Sequence, residues 1–206
     1  MKNQKTADFY NKFYSEDETT FTGEPTSLVA MLPNFLTEGT VLEIGAGVGR
    51  NALFLASKGY DVTAVDISSV GIDRIVEEAK EKGFLVRTLV SDVAEDSIQG
   101  SYDTIVCSMM LHQLSREDAR EVIKSMQDHT NQGGFNLITT FNKNNYFFRN
   151  NPETPNFYPD NKEQLEGLYS DWKLIESFVK DTKSAARDAD GNRYPAEIVG
   201  LLVQKI

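Results

Sequence analysis

TVLEIGAGVGRNALFLASKGYDVTAVD, residues Thr40 to Asp66, decides the fold. Val41-Leu42-Glu43-Ile44 is an apolar run too short for a helix, and it stops at glycine. Gly45, Gly47 and Gly49 then alternate with Ala46 and Val48, as a sharp turn out of a strand requires. From Asn51 the period becomes helical, with Ala52, Leu55 and Ala56 on one side, until Gly59 ends it. A second apolar run, Val62 to Val65, closes on the acid Asp66. Strand, glycine turn, helix, strand and acid make one βαβ unit with a ligand site at the carboxyl end of its first strand. The helix start offers unpaired N–H groups to an anion. Asp66 lies about 20 residues beyond the first glycine, the spacing at which an acid bonds ribose hydroxyls. The unit therefore predicts a nucleoside cofactor.

The glycine spacing separates the cofactor classes. Dinucleotide binders read G-x-G-x-x-G, and Arg50 stands where the third glycine would be. The series Glu43-x-Gly45-x-Gly47-x-Gly49 resembles motif I of the class I S-adenosylmethionine (SAM) methyltransferases. The chemistry agrees: a carboxylate at the strand end repels a pyrophosphate, whereas an ammonium can use it.

Composition bounds the partners. A net charge of −10, from 31 acids against 21 bases, repels nucleic acid and anionic membrane, and the chain has no basic run. No apolar run approaches the ~20 residues of a membrane span, and the amino-terminal MKNQKTADFYNKF lacks a signal-peptide core, so a cytoplasmic protein is expected. A single cysteine, Cys107, fits a reducing compartment and a buried strand. No metal-ligating cluster is apparent. The expected partner is a small-molecule substrate, and the oligomeric state is not legible.

Residues 1–24 carry Phe9, Tyr10, Phe13, Tyr14 and Phe21, with a short helix over Asp8–Phe13. Pro25 opens a helix with Leu28, Val29 and Leu32 inward, ended by Pro33. Ser68 or Ser69 caps the next helix, whose apolar positions are Ile72, Ile75, Val76 and Ala79 and whose stop is Gly83. Strands follow at Leu85–Val90, Tyr102–Cys107 and Phe135–Thr140, with a helix capped at Ser115 between the last two. Asp92 follows the third strand on the rim that holds Gly47. Residues 141–162 break every period yet are rich in aromatics, which predicts a substrate-side lid. A helix Lys162–Tyr169, a strand Trp172–Phe178, a polar loop Val179–Arg193 and a strand Ile198–Lys205 complete the chain.

From about Tyr14 onward the chain resembles the tellurite-resistance (TehB-like) branch of the class I family. The resemblance rests on Gly47-Val48-Gly49-Arg50-Asn51, Gly133-Gly134-Phe135-Asn136-Leu137-Ile138, Tyr169-Ser170-Asp171-Trp172 and Asp188-Ala189-Asp190-Gly191-Asn192-Arg193. It implies a single α/β, Rossmann-like class I methyltransferase domain with a seven-stranded sheet, order 3-2-1-4-5-7-6, and an antiparallel last strand. It implies SAM as cofactor: Glu43, Gly45, Ala46, Gly47, Gly49, Arg50 and Asn51 at the methionine tail, Asp66 and Ile67 at the ribose, Asp92 and Val93 at the adenine. Ser108 and Met109 lie on the rim near the transferable methyl, and Tyr14, on an arm folding over the cofactor, lies near the sulfonium. It implies transfer to a soft oxyanion of tellurium or selenium. Arg193, Arg187, Arg50 and Arg149 are the candidate anion holders, and His112 is a candidate base or orienting group. Ala185, Ala186 and Arg187 stand where the family has His, a basic residue and Thr, so the cations expected around an oxyanion are depleted. An organic thiol, amine or carboxylate as acceptor, a SAM-binding module without catalysis, and a nicotinamide oxidoreductase opposed by Glu43 and Arg50 are the alternatives.

Overall fold

The computed structural model describes residues 3–16 and 23–206, and the side chains of these except at 185–187. Strand β1 (Thr40–Ile44) leads through the glycine turn into α3 (Arg50–Ser57), following α1 (Gln4–Glu16) and α2 (Ser27–Met31). Next come β2 (Asp61–Asp66), α4 (Ser69–Lys82), β3 (Val86–Val90), β4 (Tyr102–Ser108), α5 (Arg116–His129) and β5 (Thr130–Phe141). Short helices α6 (Tyr146–Asn150) and α7 (Lys162–Gly167) precede the long strands β6 (Lys173–Arg187) and β7 (Arg193–Gln204). The seven-stranded sheet has the order β3-β2-β1-β4-β5-β7-β6. Strands β1 to β5 pair in parallel, and β7 runs antiparallel to both of its neighbours.

Alternation along the strands sends apolar side chains to both faces, as a sheet covered on each side needs. One face carries Leu42, Ile44, Ile105 and Cys107 against Val122, Ile123 and Met126 of α5. The other carries Val41, Val62, Ala64 and Val106 against Leu28 of α2, Leu55 of α3 and Ile75 of α4. Ser68 caps α4 by accepting from Gly71 N–H at 3.1 Å, and Gly83 ends it with φ +71°. Ile72, Ile75 and Ala79 are buried as expected, but Val76 is 47% exposed, on the flank of the buried stripe.

Two family signatures turn out to be structural. Asn136 of the glycine-glycine stretch donates to the Tyr169 hydroxyl at 3.0 Å while accepting from Thr130 Oγ1 at 2.7 Å, which ties β5 to the segment before β6. In the second, Asp188 Oδ1 accepts from Asp190 N–H and Asn192 N–H, and Asp188 N–H donates to the Asn192 carbonyl. That is a side-chain-supported hairpin turn.

The expected polar loop Val179–Arg193 is corrected by this hairpin. Residues 179–187 belong to β6, and Lys180, Asp181, Thr182 and Lys183 pair with Ile198, Glu197, Ala196 and Pro195 of β7. β6 is an edge strand there, so its ladder to β7 holds it extended without an apolar alternation. β5 likewise begins at Thr130, before Gly133-Gly134, and α1 is longer than Asp8–Phe13. Phe21 lies outside the described residues.

Cys107 is fully buried, and burial pushes its thiol well above the usual range. It is expected to stay inert to a thiol reagent such as DTNB in the native state and to react once on unfolding. Colour development by the native protein within minutes would contradict this packing.

Candidate active site

The carboxyl ends of β1, β2 and β4 open into a cavity of about 1090 Å³, roofed by α1 and the start of α2. Its volume is at the upper end of the ~300–1,000 Å³ typical of small-molecule sites, room for a cofactor and an acceptor together. The turn leaving β1 holds Gly45, Gly47 and Gly49 at φ +69°, +59° and +86°, backbone that L side chains resist. Gly45 and Gly47 line the cavity with Ala46. Gly49 does not: a Cβ there would lie 2.6 Å from Ile75 Cγ1, so this glycine serves helix packing.

Glu43 reaches the cavity from β1 and is 1% exposed. Its Oε1 accepts from Asn51 Nδ2 at 2.8 Å, and Asn51 Oδ1 accepts from Thr26 N–H at 2.9 Å, so one amide fixes the carboxylate and the start of α2. Glu43 Oε2 has no hydrogen-bond partner among the described residues. A buried carboxylate oxygen without a donor is costly. Burial pushes the carboxyl up to about 7, against the opposing pulls of the Asn51 amide, the Arg50 guanidinium and the Ala52 N–H. Arg50, half-buried at the cavity wall, is itself pulled down by desolvation.

Asp66 ends β2 with both oxygens engaged. Oδ2 accepts from Gly47 N–H at 2.7 Å and Oδ1 from Ser68 N–H at 2.8 Å. Ile67 N–H joins these two in pulling the carboxyl down against burial, and an ionised carboxylate, with about four acceptor positions, still has room for a hydroxyl donor. Asp92, after β3, accepts from Asn3 Nδ2 at 2.8 Å and Ala94 N–H at 3.1 Å. Ile67 and Val93 lie beside them in the wall. Thus Glu43, Asp66 and Asp92 open onto one hollow, as the spacing of the three acids predicts.

The end of β4 and the turn that follows contribute Ser108, Met109 and Met110. Ser108 Oγ and Thr139 Oγ1 are 2.9 Å apart and satisfy each other. Met109 has φ +59°, the one non-glycine residue with positive φ among those described. Its N–H donates to the Thr139 carbonyl at 2.7 Å. Backbone held in that region by its surroundings concentrates at ligand sites.

His112 sits in a single 3-10 turn (Leu111–Gln113) at the cavity wall, 6% exposed, its ring 4.6 Å from that of Phe141 and 6.1 Å from that of Tyr158. Burial pulls the imidazole down to about 3, with no carboxylate beside it to oppose the effect. It is neutral at any physiological pH.

Tyr14, on α1, is buried with its hydroxyl against Gly47, where a Cβ would come within 3.0 Å of it. Tyr10 packs beside it with ring centroids 5.6 Å apart, and the neighbouring Asp66 adds to burial in raising both phenols. Arg193 opens β7 at the cavity mouth, exposed, with Lys180 and Lys183 nearby on β6. The side chain of Arg187 lies outside the described residues, as do those of Ala185 and Ala186. Arg149 is corrected: it lies on α6 away from the cavity lining, donating to Asn144 Oδ1 at 3.0 Å.

Sequence reasoning missed Phe178 and Lys180 as lining residues, whereas Asn3, Tyr10 and Phe141 fall within the expected arm and lid without having been singled out. The alternation Phe178, Lys180, Thr182, Ser184 was the available signal, hidden because the stretch reads as polar loop. Among the described residues no group of three or more His, Cys, Asp or Glu could hold a metal, and no helix is long and apolar enough to cross a membrane.

This sheet order, with three acids at the strand ends around one cavity, is the class I SAM-dependent methyltransferase fold. The magnesium protoporphyrin IX methyltransferase of Synechocystis PCC 6803, crystallised with S-adenosylhomocysteine (SAH), shares that fold at a TM-score of 0.74 and 17% identity, over 98% of this chain and 99% of that one. A family model described as tellurite resistance protein TehB matches residues 3–202, and the chain belongs to that family. It is 32% identical over 165 residues, 80% of its length, to a probable SAM-dependent methyltransferase TehB of Haemophilus influenzae. The crystal structure of TehB from Haemophilus influenzae superposes with a TM-score of 0.79 at 27% identity over 96% of this chain. The chain spans 57% of the first relative's length and 67% of the second's.

Proposed function

We propose that the chain transfers a methyl group from SAM to a small acceptor. The observation that carries this reading is the orphaned Glu43 Oε2, a buried anionic acceptor in the wall of a cavity of cofactor size. A primary ammonium supplies the missing donor, and the residues present fit the cofactor's three parts. Glu43 and the Gly45–Gly47 backbone hold the methionine tail, Asp66 the ribose diol, and Asp92 with Val93 the adenine edge. Asn3, which now donates to Asp92, then shares or yields that oxygen. When bound, SAM supplies an electrophilic methyl carbon: the acceptor's lone pair forms the new bond as the carbon–sulfur bond breaks, and its electron pair stays on sulfur in the departing SAH.

The rest of the chain's work is alignment and exclusion of water. Tyr10 and Tyr14 cover the cleft, and the Met109 turn sets the strand end against it. His112 orients rather than deprotonates. Taking a proton would place a cation among Phe141 and Tyr158 with no counter-charge, so the acceptor must arrive already nucleophilic. The family description makes selenite and tellurite candidate acceptors, with Arg193 as anion holder. The aromatic wall favours an organic acceptor as the second reading. Calorimetric titration of the folded protein with SAH tests the cofactor assignment: one-to-one binding is expected, and its absence would remove the methyltransferase reading. Binding without methylation of any acceptor would leave a SAM-binding module.

A further inference from the structure

The sheet beyond the cofactor strands carries a second, ordered surface. Two rows of paired residues cross β5, β7 and β6: Thr139–Gly200–Phe178, and Phe141–Ile198–Lys180. Within each row neighbouring strands lie about 5 Å apart, so Lys180 starts about 10 Å from Phe141. In the first row a Cβ on Gly200 would sit 2.3 Å from Phe178 Cζ and 2.4 Å from Cε1. The glycine is therefore what allows the tip of the Phe178 ring to lie over β7.

Five of these six residues, all but Gly200, line the cavity, together with His112, Tyr158 and Phe147. The resulting chamber is apolar and aromatic at its inner end, where the hydroxyls of Ser108 and Thr139 are already paired with each other. The charges lie at its outer end. Lys180, Lys183 and Arg193 border the mouth, and none of them makes an ion pair or side-chain hydrogen bond among the described residues. In a chain of net charge −10, three unpaired cations at one opening select anions.

An inorganic oxyanion fits this arrangement poorly. It is strongly hydrated over its whole surface and needs donors around it, yet the inner end offers aromatic faces and a neutral imidazole. We infer that the acceptor is a small planar organic acid: its flat apolar body rests on the Phe178–Gly200–Ile198 surface, its carboxylate meets Lys180, and a soft nucleophile at its far end points toward His112. This inference rests on the methyltransferase reading and names the substrate class of the same site. A thiolate suits the inner end, because sulfur is weakly hydrated and carries its lone pairs without help from a base. The thiolate sulfur bonds the methyl carbon as the carbon–sulfonium bond breaks, the pair remains on the cofactor sulfur, and no proton moves. The neutral His112 can donate one N–H to the incoming anion.

The probe is 4-mercaptobenzoate, with thiophenol (no carboxylate) and selenite (no apolar body) beside it. SAH binding is measured first, so that failure of the cofactor assignment is seen separately. With SAM, 4-mercaptobenzoate is expected to be methylated with kcat/KM at least tenfold above both comparators. In Lys180→Met the ratio of 4-mercaptobenzoate to thiophenol should collapse toward one. Calorimetric affinity of the enzyme–SAH complex for the product 4-(methylthio)benzoate should fall about tenfold in the same variant. Selenite turned over as well as 4-mercaptobenzoate, an unchanged ratio in Lys180→Met, or methylation of none of the three by cofactor-binding protein would each overturn the inference.

Discussion

Glu43→Gln is expected to make the cofactor-free protein more stable at pH 8 while weakening SAH binding by one to two orders of magnitude. Both effects follow from one buried carboxyl. In the folded chain it holds its proton up to about pH 7, against an ordinary 4.5. Between those values the folded state binds more protons than the unfolded, so stability falls as the pH rises. The loss is complete above about pH 7 and amounts to about 3 kcal/mol at ~1.4 kcal/mol per pH unit. Glutamine has no such slope, and its carbonyl can still accept from Asn51. Allowing for the orphaned amide it leaves, a gain of about 2 kcal/mol at pH 8 corresponds to a melting temperature higher by about 5 °C. At pH 5 the two proteins should melt nearly together.

Binding moves in the opposite direction. A hydrogen bond to a charged partner contributes about 1.5–3 kcal/mol, and the amide gives up most of it. Binding an ammonium also pulls the wild-type carboxyl down, so SAH binding near pH 7 should release protons. Calorimetry in buffers of different ionisation enthalpy reads this directly. Unimpaired SAH affinity in Glu43→Gln would mean that the cofactor's ammonium makes no use of this carboxylate.

The same residue shows how far sequence carries. Glu43, Asp66 and Asp92 were legible because each lies at or just past the carboxyl end of a parallel strand, and parallel strands put those ends on one rim. Buried alternation and a glycine turn report on local backbone, and the βαβ rule converts them into a place in space. Phe178 and Lys180 were not legible. Phe178 ends the part of β6 that reads as strand; beyond it this edge strand is held by its ladder to β7, needs no apolar alternation, and reads as loop. Gly49 shows a related limit: a turn glycine can serve a ligand or a neighbouring helix with the same residue type, and the 2.6 Å approach to Ile75 that marks its packing role is visible only in the structure. Met109 was legible in position, but nothing in a methionine announces its positive φ. His112 was legible in position but not in chemistry. Its neutrality comes from Phe141 and Tyr158, far along the chain.

Asp66→Asn is the substitution expected to do the most harm, because this carboxylate organises the apo site as well as receiving a ligand. Its two oxygens accept from Gly47 N–H and Ser68 N–H, which fasten the glycine turn to the cap of α4. Ser68 Oγ donates in turn to Asn11 Oδ1 at 2.7 Å, so the chain of bonds reaches α1, the roof of the cleft. An asparagine has one acceptor oxygen where two are used. Its NH2 group must face one of the two backbone donors at under 3 Å, leaving that donor buried and unpaired. A loss of about 3 kcal/mol follows, the upper end for a buried unsatisfied group, with a melting temperature lower by about 10 °C. A loss of that size at a connection to α1 should also release the helix, and protease cleavage between α1 and α2 should quicken in the variant before global unfolding does. SAH affinity is expected to fall more than 100-fold, since the diol loses its charged partner and the turn that positions the methionine tail loosens with it. A variant that melts with the wild type and keeps α1 protected would show that the turn holds itself, and that Asp66 is only a ligand.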